Sequence, residues 1–448
     1  MPITIKGSGP VSIVASGPLS FPHMSYDAKF QMFRGEIAGE SYDELQLGFA
    51  SDRGYVSFKD SYLTKGPGKL TFRGTANPEG RTQTRITAED FRIEELNTIK
   101  RLGLNLVGDL HFFTELQGRI LKPDVRINGR LSKIFVSDEA VADSVFDLEV
   151  NSKRLEARAQ FLGDVAELEL VYPIAEGEPF SFKTRTRNWN FIRSFAFVAK
   201  SEGSRNYQAN LESNIDLFSP TGKFWDTNGT IRISQIKLER STYRLQNDRP
   251  LVVNFREGHI TTSDFELNGG EYYLKLNSSD STKSNLAGSL QGYLPLPLIH
   301  ALTPLADLRG DLNLSARLTG DATNPEVIGS ATIDDGLARI KGLRHSFENL
   351  KADLLFNESQ IMVNQLSSRF GEGLLTGNGR MEFRGFKNFF IDLNGRLDKA
   401  KLEIPDGLKT EGSGRFTLTG SWFPYVLGGA YQVTSGEFVT DLTAAAGG

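Results

Sequence analysis

The chain has 448 residues, a formal net charge of −4, 45 glycines, 31 phenylalanines and no cysteine. The absence of cysteine excludes a disulfide framework, a cysteine nucleophile and thiolate-bound zinc, and the absence of a Lys/Arg run argues against a nucleic-acid-binding surface. Abundant glycine among aromatic and β-branched residues is typical of many strands joined by tight turns, so we expect an all-β fold.

The opening stretch, MPITIKGSGPVSIVASGPLS, has the pattern of strands and not of a signal peptide or a membrane anchor. The most apolar window, 294–306, is shorter than the ~20 residues that cross a bilayer. It also contains three prolines. We therefore expect a fragment from inside a longer protein, without that protein's anchor.

Alternating apolar and polar residues predict strands along the whole chain. In chain order these strands are 109–116, paired with 125–131, then 144–150, 154–161, 166–172, 230–238, 251–255, 259–267, 271–277, 311–319, 350–356, 360–365, 373–383, 389–397, 414–419, 427–433 and 437–439. Asp335-Gly336 is a short-turn signal, so we expect a hairpin between a strand starting near Val327 and one containing Leu337 and Ile340.

A set of turn landmarks recurs about every hundred residues. A turn proline stands at positions 22, 123, 220, 325 and 424, at intervals of 97 to 105 residues, and a glycine follows it at 129, 229, 329 and 428. Such a period indicates a repeat architecture. We expect one continuous array with approximate modules 1–100, 101–205, 206–305 and 306–405 and a partial module 406–448.

Apolar stretches without strand alternation lie at 91–102, 189–197, 294–308 and 402–408. The first has near-helical spacing and an acidic start. We interpret these stretches as short helices or irregular plugs that cover an open edge, since exposed sheet edges need covers. Loops held by apolar anchors are an equal alternative.

One parity of most strands is apolar, and such a face must be covered. A second sheet, a closed solenoid and a U-shaped trough lined for lipid are the alternatives. Glycines inside strands, among them Gly129, Gly329, Gly377, Gly379 and Gly395, favour strong curvature. The residues alone favour a closed core over the trough, because alternating apolar residues usually form the core of a sandwich or solenoid. The residues expected to line a trough are Leu110, Phe112, Leu116, Leu251, Val253, Phe255, Leu274, Leu276, Leu312, Leu314, Leu318, Ile333, Ile391, Leu393, Phe416 and Leu418.

Nothing in the pattern indicates an enzyme. The five histidines are far apart, with no metal-ligand spacing, and neither a nucleophile elbow nor a phosphate-binding loop occurs. Acidic pairs such as Asp334-Asp335 are typical of turns, although a β-helix glycosidase could use such pairs. We expect no catalytic residue, no metal, no cofactor and no nucleotide.

Several long strings resemble the TamB family of translocation and assembly module proteins, which belongs to the AsmA-like group. They are LTGDATNPEVIGSATIDDG, LTGSWFPYVLGGAYQVTSGEFV, LQGYLPLPLIHALTPLADLRGDLNLSARLTG and YRLQNDRPLVVNFREGHITTSDFELNGGEYYLKLNSS, and the resemblance is good from about residue 180 to residue 440.

The resemblance implies an elongated, curved sheet of the β-taco type with a few short helices. Its apolar groove would conduct phospholipids across the periplasm of a Gram-negative bacterium and support outer-membrane protein assembly and secretion. It also implies an inner-membrane anchor in the full-length protein and docking on an Omp85-type outer-membrane barrel, TamA. The alternatives are an adhesin-like structural rod with a closed core and a carbohydrate-active β-helix.

Overall fold

A computed structural model describes residues 5–17, 24–102, 106–120, 122–136, 139–191, 207–277, 280–299, 306–340, 343–384, 388–403, 408–421 and 425–438. About 79% of these residues are in strands and 4% in helices, which confirms the all-β fold. The strands form one antiparallel sheet of 31 strands in this described part of the chain.

Contacts divide the chain into two compact units. Unit 1 comprises Met1–Arg205, Ala209–Ser234 and Phe255–Glu257, and unit 2 comprises Asn206–Gln208, Gln235–Asn254 and Gly258–Gly448. The five repeat modules stay a prediction.

In the first half of the chain, the described residues form sixteen strands, a 3-10 turn and one short helix. They are β1 (Ile5–Ser8), β2 (Val11–Ser16), β3 (Ser25–Ile37), β4 (Glu40–Asp52), β5 (Tyr55–Phe58), β6 (Ser61–Lys65), β7 (Gly68–Ala76), β8 (Arg81–Arg92), η1 (Ile93–Glu95), α1 (Asn97–Leu102), β9 (Leu106–Arg119), β10 (Lys122–Val136), β11 (Glu139–Val141), β12 (Ser144–Val150), β13 (Arg154–Phe161), β14 (Ala166–Pro173), β15 (Phe180–Asn190) and β16 (Tyr207–Ser219).

The second half begins with another 3-10 turn and continues with longer strands. Its elements are η2 (Phe224–Asp226), β17 (Asn228–Arg240), β18 (Tyr243–Asn247), β19 (Leu251–Arg256), β20 (His259–Thr262), β21 (Phe265–Gly269), β22 (Tyr272–Asn277), β23 (Gly288–Pro295), α2 (Leu296–Ile299), β24 (Ala306–Asp321), β25 (Asn324–Ile340), β26 (Phe347–Glu358), β27 (Gln360–Phe370), β28 (Gly373–Arg384), β29 (Asn388–Glu403), β30 (Leu408–Ser421) and β31 (Val426–Phe438).

Most strands pair with the strands next to them in sequence, because short turns join them. The proline landmark takes the same form in two places. Gly118 is the partner of Pro123 across β9 and β10, and Gly320 is the partner of Pro325 across β24 and β25. In both hairpins the proline stands at the start of a strand, where its missing N–H is tolerated. Pro220 lies in the turn that follows β16, and the landmark positions 22 and 424 lie outside the described residues.

The predicted hairpin at Asp335-Gly336 is wrong, because β25 runs through both residues. Asp335 has a φ of 53°. The register with β26 slips there, from Ile333 opposite Ala352 to Gly336 opposite Leu350. The pair is therefore a β-bulge. Aspartate and glycine tolerate a left-handed backbone, which turns and bulges both need, so the dipeptide signal does not distinguish them.

Similar bulges recur in other long strands. Asp90, Lys133, Asn188 and Lys399 all have positive φ. Each lies where the register with a neighbouring strand shifts. A bulge bends a strand and increases its twist.

The glycines at 129 and 395 make room for aromatic rings. A Cβ at either position would come within 2.0 Å of a neighbouring phenylalanine, Phe146 for Gly129 and Phe416 for Gly395. Each phenylalanine is the Cα partner of its glycine. The ring therefore lies over the glycine, an arrangement known to stabilise glycines within sheets.

One predicted strand is divided in the structure, and two others are joined. The stretch 259–267 is divided into β20 and β21, because the Val252 amide bonds to the Ser263 hydroxyl (2.9 Å) and the Ser263 amide bonds to the Val252 carbonyl (2.8 Å). Conversely, 427–433 and 437–438 form one strand, β31. Residue 439 lies outside the described residues.

The apolar stretches without alternation have mixed outcomes. The first forms η1 and α1, and the third includes one helical turn, α2. The prediction of helices is wrong for Trp189, Leu402 and Leu408, which lie in β15, β29 and β30. The central residues of these stretches, at 192–200, 300–305 and 404–407, lie outside the described part of the chain.

Candidate functional site: the apolar face of the sheet

One face of the sheet is apolar across unit 1. Cα partners in neighbouring strands project their side chains to the same side, so the registers trace a face from strand to strand. Leu110 is the partner of Leu131, Phe112 of Gly129 and Leu116 of Val125. From there the face extends in both directions, through Phe72, Ile86, Thr84, Ile127, Leu148, Phe146, Ala157, Leu168, Leu170, Phe182, Ile215 and Leu217.

A face of the same kind runs across unit 2 from β21 to β31. One row of partners passes through Leu276, Leu290, Ala316, Gly329 and Phe356. A second row passes through Leu294, Leu312, Ile333, Ala352, Leu366, Gly377, Gly395 and Phe416.

The remaining candidates of unit 2 lie on that face too. Leu274 and Leu314 are both partners of Gly292, and Leu318 is a partner of Gly288. Further along, Leu393 is the partner of Leu418, and Ile391 of Gly420. Within each unit, the structure thus places these predicted lining residues on one side of the sheet.

The candidate side chains are neither buried nor fully exposed. All are half-buried except Leu318, which is 36% exposed, and Ile391, which is 8% exposed. Leu427, the partner of Leu418 on the last described strand, is 71% exposed. Leucines beneath a second packed layer would be buried. The apolar face is therefore partly open to solvent over much of each unit.

Among the described residues, two packed clusters close the face locally. In unit 1, Tyr42, Leu45, Leu63, Ala88 and Phe91 are buried together, with Leu110 and Phe112 against them. In unit 2, Leu375, Leu397, Ala400 and Leu402 are buried together, with Phe416 against them. These candidates therefore border a packed core, whereas the other candidates do not belong to either cluster.

The plug of unit 1, which consists of η1 and α1, is held to the sheet by a carboxylate. Glu40 accepts hydrogen bonds from the amides of Asn97 (2.8 Å) and Thr98 (2.7 Å) and from the Thr98 hydroxyl (2.6 Å). Lys65 donates a further bond at 3.2 Å. Burial opposes ionisation of Glu40, but these bonds outweigh it and lower the pKa of the carboxyl below its ordinary value. The ionised carboxylate therefore fastens α1 at the end of the apolar face.

The helical turn of unit 2 is fastened by a tyrosine. The buried Tyr207 hydroxyl donates to the Leu298 carbonyl at 2.7 Å, and burial raises the pKa of Tyr207 to about 12. The phenol therefore stays protonated at neutral pH and keeps its donor. Leu296 and Leu298 are buried beside it.

The opposite side of the sheet is charged. Directly opposed residues form ion pairs, as in Arg126–Glu149 (3.3 Å), Lys183–Asp216 (3.1 Å) and Lys275–Glu266 (3.0 Å). Exposed pairs of this kind contribute at most about 1 kcal/mol each. Their main consequence is that water solvates this side of the sheet. The apolar side is therefore the candidate site.

The three candidates on β19 are described by their burial and by one ring contact. Leu251 and Val253 are half-buried, as is Val252 between them, and Asn254 is exposed. Phe255 is also half-buried, and its ring contacts Phe224 edge-on, with centroids 6.2 Å apart. Sequence analysis missed Phe224 and Trp225. The signal was available in TGKFWDTNG, because an aromatic pair inside a polar turn is unusual.

Within the residues that the structure describes, no cluster of three or more His, Asp or Glu side chains could hold a metal ion. No helix among those residues is long and apolar enough to cross a membrane.

A comparison with protein-family models finds a match. The family model described as TamB C-terminal domain matches residues 364–447, which confirms the resemblance to that family. No curated protein and no solved structure matches the chain.

Proposed function

We propose that the apolar face of this chain conducts phospholipids between the inner and outer membranes, a role in keeping with the match of residues 364–447 to the family model described as TamB C-terminal domain. The half-buried row of apolar side chains, unbroken from strand to strand within each unit, carries this proposal. The role is non-enzymatic, because it lowers a solvation barrier and makes or breaks no bond.

The energetic argument is the cost of moving an acyl chain through water. Each exposed methylene costs about 0.8 kcal/mol, so a 16-carbon tail costs about 12 kcal/mol. A row of leucines and phenylalanines spaced by one strand, about 4.8 Å, offers the tail a continuous apolar surface. The headgroup can stay in water at the edge of the face.

In the cell, we place this chain in the periplasm of a Gram-negative bacterium, within a full-length protein anchored in the inner membrane. Its partners are phospholipid acyl chains and an Omp85-type outer-membrane barrel similar to TamA. Through that barrel it would support outer-membrane protein assembly and secretion. The match of residues 364–447 to the TamB C-terminal domain supports an envelope role.

Lipid extraction tests the proposal. The chain is purified without detergent, extracted with organic solvent, and the extract is analysed by mass spectrometry. We expect phospholipid in the extract, at more than one molecule per chain. A folded chain that contains no lipid would contradict the proposal and favour the structural rod with a closed core.

A further inference from the structure

An aromatic pair, exposed Phe224 and half-buried Trp225, stands at the tip between β16 and β17. Phe224 is 60% exposed although it lies in a structured turn. Its ring contacts Trp225, with centroids 5.3 Å apart at 86°, and Phe255, with centroids 6.2 Å apart at 84°. Phe255 belongs to the apolar parity of β19. The three rings therefore form a patch, which we call the aromatic tip, that extends this parity beyond the ends of the strands.

The aromatic tip is rigidly built. The buried Ser219 hydroxyl donates to the Lys223 carbonyl at 2.8 Å, and the Thr227 amide donates to the Phe224 carbonyl at 3.1 Å. The neighbouring tip is joined to it, because the Glu257 amide donates to the Asn228 side-chain oxygen at 3.2 Å. These hydrogen bonds hold the Phe224 ring in contact with water. The exposed ring costs solvation free energy, and a bound apolar group would offset that cost.

The charges around the tip favour an amphiphile. Asp226 accepts a hydrogen bond from the Thr221 hydroxyl, and Glu257 pairs with Arg256 at 3.9 Å. The Lys223 ammonium has no ion-pair partner among the described residues. Trp and Phe beside a free cation have the composition of protein surfaces that lie at the boundary between acyl chains and headgroups.

We propose that the aromatic tip covers the acyl chain of a phospholipid on the apolar face, and that the Lys223 ammonium binds the headgroup phosphate. The proposal rests on the proposed function for its ligand class. It adds a specific contact point at the edge of unit 1, where the lipid is covered by rings instead of standing open to water.

Tryptophan fluorescence tests the contact directly, because the chain has only 3 tryptophans. The full chain with Trp189→Phe and Trp422→Phe retains Trp225 alone. Its bound lipid is exchanged for a phospholipid with brominated acyl chains, or for the same lipid without bromine, and free vesicles are removed. We expect bromine to quench Trp225 emission, since quenching requires contact with the acyl chain.

A second chain separates this inference from the proposed function. With Trp225→Phe and Trp422→Phe it retains Trp189, whose Cα partner is Leu211 next to the apolar face. Quenching of Trp189 without quenching of Trp225 would overturn the tip contact and leave the proposed function standing. Quenching of neither would overturn both. Quenching of Trp225 only after vesicles are added would also overturn the inference, because the tip would then bind a bilayer and not the carried lipid.

Matched variants test the role of Phe224. Phe224→Ser, in the chain that retains Trp225, should reduce quenching. Phe218→Ser removes another exposed phenylalanine, on the charged side of β16, and should leave quenching unchanged. Equal effects of the two substitutions would overturn the assignment of the acyl-chain contact to the aromatic tip.

Discussion

Leu418 and Leu45 are both leucines of the apolar parity, but their surroundings differ. Leu45 is 1% exposed inside the packed cluster of unit 1. Leu418 is half-buried between Leu393 and the highly exposed Leu427. A residue of the first kind stabilises the fold, and a residue of the second kind provides surface for a ligand.

Leu418→Arg, and likewise Leu314→Arg, should therefore leave the fold intact and reduce the amount of bound lipid. A long arginine side chain can lie along a half-open face and bring its charge to water. Circular dichroism and lipid extraction measure the two effects. Thr417→Arg, on the charged side of β30, is the control and should change neither. Unfolding of Leu418→Arg would instead show a closed core at this position.

Leu45→Ala should lower the free energy of unfolding by about 2–5 kcal/mol, because it removes part of a fully buried side chain.

Gly395 is expected to be sensitive to the smallest substitution. In Gly395→Ala the new methyl group meets the Phe416 ring, so we expect a loss of about 1–3 kcal/mol in the free energy of unfolding. Gly288→Ala is the matched control, since the nearest atom to its new Cβ is 3.9 Å away. Chemical denaturation of both variants measures the difference. Equal stability of the two would contradict the ring-over-glycine arrangement.

At the scale of elements, the plug of unit 1 depends on one carboxylate. Glu40→Gln replaces an acceptor that receives four hydrogen bonds, so we expect a loss of about 1–3 kcal/mol and faster amide exchange in α1. Glu36→Gln, an exposed neighbour paired with Lys6 at 3.6 Å, is the control and should have little effect.

The contribution of Glu40 should also depend on pH. Because its pKa is lowered in the folded chain, the stabilisation is fully present above the unfolded pKa of about 4.3 and is lost as the pH falls through the lower folded value. Unfolding curves at pH 7 and pH 3 should therefore differ more in the wild type than in Glu40→Gln. An identical pH dependence in both would contradict the carboxylate's role.

At the scale of the whole molecule, most pairings join strands that are neighbours in sequence. Stability in such arrays is approximately a sum over neighbouring units, so a piece can fold without the rest. We expect residues 306–448, produced alone, to keep a β-type circular dichroism spectrum and to retain bound lipid. A disordered fragment would contradict the module boundary predicted at residue 306.

Much of the fold was predictable because its signals are local. Alternation located β12, β13 and β14 within one residue, and the Pro-Gly landmarks located the β9–β10 and β24–β25 hairpins. The errors also have local causes. Asp335-Gly336 forms a bulge from turn residues, and Ser263 divides a predicted strand by bonding across to Val252.

The sequence by itself determined the all-β class and the apolar parity, because strand periodicity and turn chemistry act over a few residues. Only the tertiary structure decided how that parity is covered. It buried Leu45 and Leu375 in packed clusters, left Leu314 and Leu418 half-exposed, and placed Phe224 against Phe255. Exposure depends on which strands lie opposite one another and on where bulges bend them. The packed clusters and the aromatic contact, by contrast, join residues that are far apart in sequence, such as Tyr42 with Phe91 and Phe224 with Phe255, and no local pattern encodes those contacts.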